Sequence, residues 1–564
     1  MANKRVNTLR ASLICCVILA ITPAYAELAQ IDTITNTQVP LTNLVSEQKN
    51  ITAPEILKSR QQLQGWLSPG TNLVYMDRLA KLYAENNMQP LWDDEPAVLE
   101  FKQQLAELAL AGFQPQFGKW LSLLVKNKQL NQMERDVILS DAMLGYLYFI
   151  CNVKYNGKDW LYQKTPFQLR EPTIGGVSQW QTAINSKQLA SWIKTLAPQH
   201  ASYLPMRTKM LAYLADQQIW PKINTVSLLK PGQTSNDLVS LSEILTRNGL
   251  LTQDADTDEN SRNYGGLLVD AVKQFQRMYG LEPDGIIGNA TLKWLNTSPT
   301  DRAGLLAINI QRLRIIPNEG GSGILVNIPA YTLHFYLNNQ LIIDSKVIVG
   351  RPDRKTPIMS SELNSVVINP PWNVPTSMVR KDILPQARRD PGYFARRGFT
   401  VLSGWERNAY PIDPYSINWN AISSSSFPYR VRQAPGPANA LGRYKFNMPS
   451  SDAIYLHDTP NHSLFNRQNR SISSGCVRVN KASVLASILL ARASWDQKRI
   501  DGALQLGETR YINIPGRIPI YLYYQTAWVD NKNIANFRDD IYGYDNVIYG
   551  AMNYLNEIKT TLNE

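Results

Sequence analysis

The chain has 564 residues, 44% of them hydrophobic, and a formal net charge of +12. That length exceeds one domain, and the apolar content excludes a disordered polyelectrolyte. Beyond the N-terminus no uninterrupted apolar run reaches the 18 residues of a membrane span, so a multi-span membrane protein is excluded as well. Residues 1–26 read as a secretory signal. Lys4, Arg5 and Arg10 precede the apolar run 11–21, and Ala24-Tyr25-Ala26 offers a cleavage site. The apolar run is short for a retained anchor, and Ile14-Cys15 does not fit a lipoprotein site. Without Lys4, Arg5 and Arg10 the mature charge is +9. A basic exported chain suits an anionic envelope polymer or membrane surface, and export argues against nucleic acid. Cys15 and Cys16 leave with the signal. Cys151 and Cys476 remain, and in an oxidising compartment two cysteines can pair. Cys151 ends an apolar helical run and reads as core.

Residues 27–70 are polar and weakly periodic, a leader joined to a first helix. From there to residue 225 the pattern is helical and the segment reads as a scaffold. Tyr75, Leu79, Leu82 and Tyr83 share one helix face, as do Leu99, Leu105, Leu108 and Ala109 before Gly112. The stretch 137–151 is apolar but for Asp141 and predicts a buried helix. Residues 226–300 form a separate module. Ala271-Val272-Lys273-Gln274-Phe275-Gln276 precedes Gly280, and Asp284-Gly285-Ile286-Ile287-Gly288 follows. Glycines 280, 285 and 288 suit positive φ where helices meet tight turns. This module resembles the three-helix peptidoglycan-binding domain, which implies affinity for glycan strands or service as a spacer. Asp254, Asp256 and Asp258 hint at a calcium loop, but Glu259 and Gly265 stand where it needs Gly and Glu.

Residues 301–323 read as a linker. Past Gly323 the period switches to that of strands, at 324–328, 331–337 and 341–349, with a hairpin turn at Asn338-Asn339. The mostly-β domain spans 324–505 and is interrupted by an insertion at 370–435. The insertion opens Pro370-Pro371-Trp372 and mixes arginines (388, 389, 396, 397) with Tyr393, Trp405, Tyr410, Tyr415 and Trp419. That mixture fits either an acidic-polymer surface or a solvated face over a small core. The tail, 506–564, predicts a strand and an aromatic helix packed on the rest, with nothing catalytic.

The chemistry concentrates at 453–480. Residues 453–457 predict a short strand ending at His457. A turn-rich loop follows, and Ser473-Ser474-Gly475 delivers Cys476 to the apolar run 477–490, predicted helical. A thiol at a helix N-terminus beside an imidazole has a lowered pKa, as a cysteine nucleophile requires. His457 followed 19 residues later by Cys476, inside Ser-Ser-Gly-Cys-Val-Arg, resembles the signature of the L,D-transpeptidases (YkuD-type catalytic domain). The segments 349–357 and 439–446 resemble further landmarks of that family. The run 82–92 and the Ser474 variant of the motif, which has Ser where most members have His, resemble the large YcbB-type subgroup.

The resemblance implies a multidomain α+β protein with a helical scaffold, a peptidoglycan-binding module and a mostly-β catalytic domain with an inserted lid. It implies acyl transfer through a Cys476 thioester, with His457 moving the proton and release of D-alanine. The product would be a 3→3 cross-link between stem tetrapeptides, formed in the periplasm of a Gram-negative-type bacterium. Asp458 orients His457 by its carbonyl in the family, and its carboxylate offers the same service. Backbone N–H groups near Gly475 are the oxyanion donors. Tyr455, Ser474, Arg478 and Trp372 are the substrate-binding candidates, Arg478 for a carboxylate or for a structural ion pair. His462 is a competing base. The reaction needs no cofactor or metal. The partners implied are stem tetrapeptides, glycan strands and other cell-wall synthesis proteins. Hydrolysis by the same pair (an L,D-carboxypeptidase), transfer to a lipoprotein amine, and a non-catalytic wall-binding scaffold stand as alternatives.

Overall fold

The computed structural model describes residues 51–126, 130–224, 228–252, 263–423 and 427–564. The export signal, the leader to residue 50 and Asp254, Asp256 and Asp258 lie outside them. Eight helices, from Ala53–Trp66 to Tyr203–Ala215, build the N-terminal region. The longest, Gln132–Trp160, is apolar enough to cross a membrane, but most of it is buried inside the protein. A carboxylate in such a helix is costly unless it is hydrogen-bonded. Asp141 accepts the N–H groups of Val74 and Tyr75 at 3.0 and 2.8 Å and the Trp120 indole at 2.7 Å. The residue that breaks the apolar pattern thus fixes the entrance of helix Met76–Glu85.

The small module contains helices Leu238–Arg247, Gly266–Met278 and Asn289–Leu295. Its turn is held by Gln276, whose amide donates to Asp284 and Ile286 and whose oxygen accepts the Gly285 N–H at 2.9 Å. Gly280 and Gly285 adopt positive φ, but Gly288 is extended at −99° and only caps the next helix. The expected linker at 301–323 is largely a helix, Pro299–Arg312, capped by Ser298 Oγ on the Asp301 N–H. It is buried on nearly every side, so no amphipathic stripe marks it in the sequence.

Strands β1 (Gly323–Asn327), β2 (Thr332–Leu337), β3 (Gln340–Gly350) and β4 (Met359–Ile368) open the β domain. Asn338 and Asn339, both at positive φ, turn β2 into β3. The insertion follows, with β5 (Trp372–Asn373), β6 (Phe399–Leu402), β7 (Pro411–Ile412) and β8 (Arg430–Gln433) in a sheet of order β5-β8-β6-β7. It has its own core around Val379, Leu384, Phe394, Trp419 and Val431. The small core of the second reading is present. Trp419 is core and Arg388 donates to carbonyls, while Trp405, Tyr410 and Tyr415 are exposed.

The main sheet resumes with β9 (Tyr444–Asn447), β10 (Leu456–His457), β11 (Ser471–Ser473), β12 (Val477–Val479) and β13 (Arg510–Tyr523). Its order is β11-β3-β12-β10-β9-β4-β13-β1-β2, and β2 also pairs with β3, closing the sheet on itself. The β domain therefore does not end at 505, because β13 is an interior strand between β4 and β1. The tail continues as a hairpin, β14 (Ala527–Val529) with β15 (Ala535–Phe537), and ends in helix Leu555–Leu562. Phe537 stacks on Tyr279 of the small module at 5.4 Å, and Ser122 of the helical region donates to Glu557 at 3.0 Å. Residues Ala53–Glu564 accordingly make one compact unit.

Candidate active site

Three short strands set the site. Strands β9 and β10 pair antiparallel, with His457 opposite Lys445, and β10 and β12 pair parallel, with His457 opposite Arg478. Val477 N–H donates to Tyr455 O at 3.2 Å, which carries the register one residue further and sets Cys476 opposite Tyr455. Side chains two apart on a strand share a face. Lys445, Tyr455, His457, Cys476 and Arg478 therefore stand on one face of the sheet. The predicted strand 453–457 is shorter than expected, since Ala453 turns with φ +53°.

His457 is buried, and its Nδ1 lies 2.6 Å from the carbonyl oxygen of Asp458. A carbonyl only accepts, so Nδ1 carries the hydrogen. Burial, the Arg478 charge and the Lys445 charge push the imidazole down to about 3, against a hydrogen bond to Asp458 that raises it. The ring is neutral, and Nε2 is left with its lone pair. The Asp458 carboxylate is engaged elsewhere, by the Arg443 N–H at 2.9 Å and by His462 Nε2 at 3.3 Å. His462 is half exposed and leans on that carboxylate and on Phe465.

Cys476 does not begin a helix. It precedes β12, and the next helix starts at Ala482. The lowered pKa expected from a helix N-terminus is absent. Burial pushes the thiol above its ordinary value, while Tyr455, Lys445 and Arg478 pull the other way. The groups that bear on the thiol are the Tyr455 amide and hydroxyl with Lys445 and Arg478, and Trp372 of β5 bears on that same hydroxyl. No hydrogen bond joins Cys476 to His457 among the described residues. Both cysteines of the described chain are free.

Gly475 takes φ +117°, a left-handed-side conformation that favours glycine, and an added Cβ would press on Ile454 at 3.3 Å. Its N–H, expected among the oxyanion donors, is committed to Ser473 Oγ at 3.1 Å. Cys476 N–H has no partner among the described residues and is the remaining donor there. Ser473 Oγ in turn donates to Cys476 O at 2.7 Å. Ser474 accepts from Arg354 at 3.2 Å, and Arg354 also binds Asp382 of the insertion through both terminal nitrogens, one at 2.7 Å. Arg478 has no acidic partner among the described residues, and its Nε is buried without a hydrogen bond.

Four supporting residues are not evident in the sequence. Lys445 and Thr356 sit in recognised landmarks, but only strand register brings Lys445 beside His457 and only the fold shows what Thr356 holds. Arg354, Thr356 and Tyr542 buttress the loop that carries Cys476. Thr356 Oγ1 donates to Gly475 O at 2.7 Å and accepts the Gly350 N–H at 2.8 Å. Tyr542, from the tail expected to be inert, accepts the Thr356 N–H at 3.0 Å and donates to Gly350 O at 2.7 Å.

Residues 321–495 match the family model for the L,D-transpeptidase catalytic domain (YkuD), 77–210 that for the scaffold domain, and 234–295 that named "Putative peptidoglycan binding domain". A Haemophilus influenzae relative named "Putative L,D-transpeptidase" is 36% identical over 476 residues, 84% of this chain and 80% of its own length. A solved L,D-transpeptidase from Xylanimonas cellulosilytica aligns over 54% of this chain and all of that one, at 13% identity and a TM-score of 0.18. One from Mycobacterium smegmatis covers 36% of this chain and 59% of its own, at 11% and 0.16. Scores that low carry no argument. The catalytic and wall-binding matches make peptidoglycan the substrate or partner class. The matched catalytic segment holds the whole Cys476 and His457 arrangement, and the relative is similar over most of both chains; this chain belongs to the L,D-transpeptidase family of enzymes.

Proposed function

We propose that this enzyme forms 3→3 cross-links between peptidoglycan stem peptides through a Cys476 thioester, after export to the periplasm. The observation that carries the reading is the shared sheet face of Cys476 and His457, with His457 Nδ1 held on the Asp458 carbonyl. That hydrogen bond leaves Nε2 as the base. His457 takes the thiol proton as Sγ attacks the carbonyl of the third residue of a tetrapeptide stem. Cys476 N–H meets the developing oxyanion, and a donor of this kind is typically worth about 10²–10³-fold in rate. The C–N bond breaks, His457 returns the proton to the leaving D-alanine amine, and the thioester remains. The side-chain amine of diaminopimelate on a second stem then attacks. Its proton passes to His457, the C–S bond breaks, and the proton goes back to the thiolate. A positioned imidazole contributes about 10²–10⁴-fold.

Tyr455, Ser474 and Trp372 line the donor site, and the insertion serves as a lid. Its separate core and the Arg354–Asp382 ion pair that ties it to the Cys476 loop support that role. The mature positive charge favours an anionic wall polymer.

Mass spectrometry of tetrapeptide-rich muropeptides, incubated with the mature protein or with Cys476→Ala, tests the reading. Dimers linked 3→3 are expected with the wild type alone. Tripeptide monomers without dimers would make the enzyme a carboxypeptidase or one whose amine acceptor lies elsewhere, on a lipoprotein. No product from a folded protein that binds sacculi would sink the catalytic reading in favour of a scaffold.

A further inference from the structure

Two cations without a counter-ion stand beside the nucleophile. Lys445, His457 and Arg478 form one row across β9, β10 and β12, so the two cationic side chains spring from backbone positions on either side of His457, each about one strand spacing away, roughly 4.8 Å. Lys445 is held in position over the Tyr455 ring, its Nζ 4.1 Å from the centroid. Neither Lys445 nor Arg478 forms an ion pair with a carboxylate among the described residues, and Arg478 Nε is buried with no acceptor. Burial holds both below their ordinary pKa values, and the one acidic group bearing on either is Cys476 itself. A neutral thiol beside a neutral imidazole leaves that double charge uncompensated.

Desolvated cations are costly without an anion, and no carboxylate among the described residues supplies one. The anion then arrives with the substrate. This step rests on the transpeptidase reading above. In a tetrapeptide donor the leaving residue carries a free carboxylate, one residue length (about 3.8 Å) beyond the bond that Cys476 attacks. Cys476 and the cation row stand two residues apart on the same sheet face, roughly 6.7 Å along the strand, so the carboxylate falls on the row's side of Cys476, facing the long Lys445 and Arg478 side chains. We propose that Lys445, together with Arg478, receives the C-terminal carboxylate of the donor stem, making Lys445 the residue that selects donors ending one residue past the scissile bond. A stem one residue longer would put an amide there and leave both cations unpaired, which is discrimination by an unmet charge. Lys445 acts as a point charge, and Arg478 supplies the directional donors.

The test compares two donors, a stem tetrapeptide and the same peptide with its terminal carboxyl converted to the carboxamide. Acyl-enzyme formation on the full mature chain is followed by intact-protein mass spectrometry. The wild type should acylate about 10–100-fold faster with the carboxylate donor, the range for a hydrogen-bonded charge. Lys445→Met should slow the carboxylate donor and bring the ratio toward one, and Lys445→Arg should keep most of the preference. Equal wild-type rates with the two donors would overturn the selector role and leave the transpeptidase reading standing. A Lys445→Met variant that slows both donors alike, with the ratio intact, would overturn it too, since the lysine would then act on the thiol alone. Acylation by neither donor would overturn the transpeptidase reading and this one together. The wild-type comparison needs no substitution, so it decides even if Lys445→Met fails to fold.

Discussion

His457 is a histidine that the fold keeps from charging. Its ring is buried, its Nδ1 is tied to a carbonyl, and two cations flank it. Burial and the two cations push its pKa to about 3 against the carbonyl bond, which raises it; in the unfolded chain it is about 6.5. Between those values the unfolded state binds a proton that the folded state does not, so stability falls as pH falls. We expect His457 to add about 1.4 kcal/mol of lost stability per pH unit below about pH 6. Urea titrations of Cys476→Ala and of Cys476→Ala/His457→Gln at pH 4, 5 and 6 check this, and only the first should show that part of the slope. Equal slopes would mean that the imidazole titrates normally. At this scale much was legible. Motif and spacing single out Cys476, His457 and Asp458, and the fold brings the three together. The choice between the carbonyl and the carboxylate of Asp458 does not follow from motif or spacing, because both belong to one residue and only the chain's path separates them.

At the scale of elements, the stretch after Cys476 misleads. Residues 477–490 are apolar enough to read as one helix, yet β-branched Val477 and Val479 alternate with Arg478 in a strand before helix Ala482–Ala491 begins. The difference matters chemically, since a helix N-terminus would lower the thiol pKa and a buried strand raises it. Strand β12 is steadied from a distance by the Tyr542–Thr356–Gly475 chain of hydrogen bonds. Tyr542→Phe removes the acceptor of a buried N–H and the donor to Gly350 O. The cost is expected at about 1–3 kcal/mol in urea unfolding. Acylation should slow in the same variant while binding to sacculi is kept, because the small module is untouched. Unchanged acylation would show that the loop holds its shape without the tyrosine.

The tail integrates the whole molecule. Strand β13 runs through the middle of the catalytic sheet, the β14–β15 hairpin packs on the small module, and the last helix packs on the helical region. Helix Pro299–Arg312, expected as a linker, is pinned from both ends of the chain. Arg312 is fully buried, pairs with Asp545 at 2.7 Å and lies over the Tyr162 ring at 4.6 Å. Removing one partner of a buried pair strands the other charge. Arg312→Met should therefore lose about 3–5 kcal/mol in denaturant unfolding. Arg312→Met/Asp545→Leu should recover much of that loss, and a double variant no better than the single would argue against the ion pair as the cause.

Local chemistry is written locally, and the sequence by itself determined what depends on it: the candidate pair Cys476 and His457, the Asp-Gly turn of the small module, the Asn-Asn hairpin and the order of helical and β regions. Each needs only neighbouring residues, through spacing, periodicity or allowed φ. Tertiary structure decided what depends on distant strands meeting. It brought Lys445 to His457, gave the Gly475 N–H to Ser473, made Tyr542 a support of the active-site loop and turned an apparent linker into a buried helix. None of these leaves a periodic or compositional trace, because register across a sheet and burial from all sides are properties of pairs of segments rather than of either one.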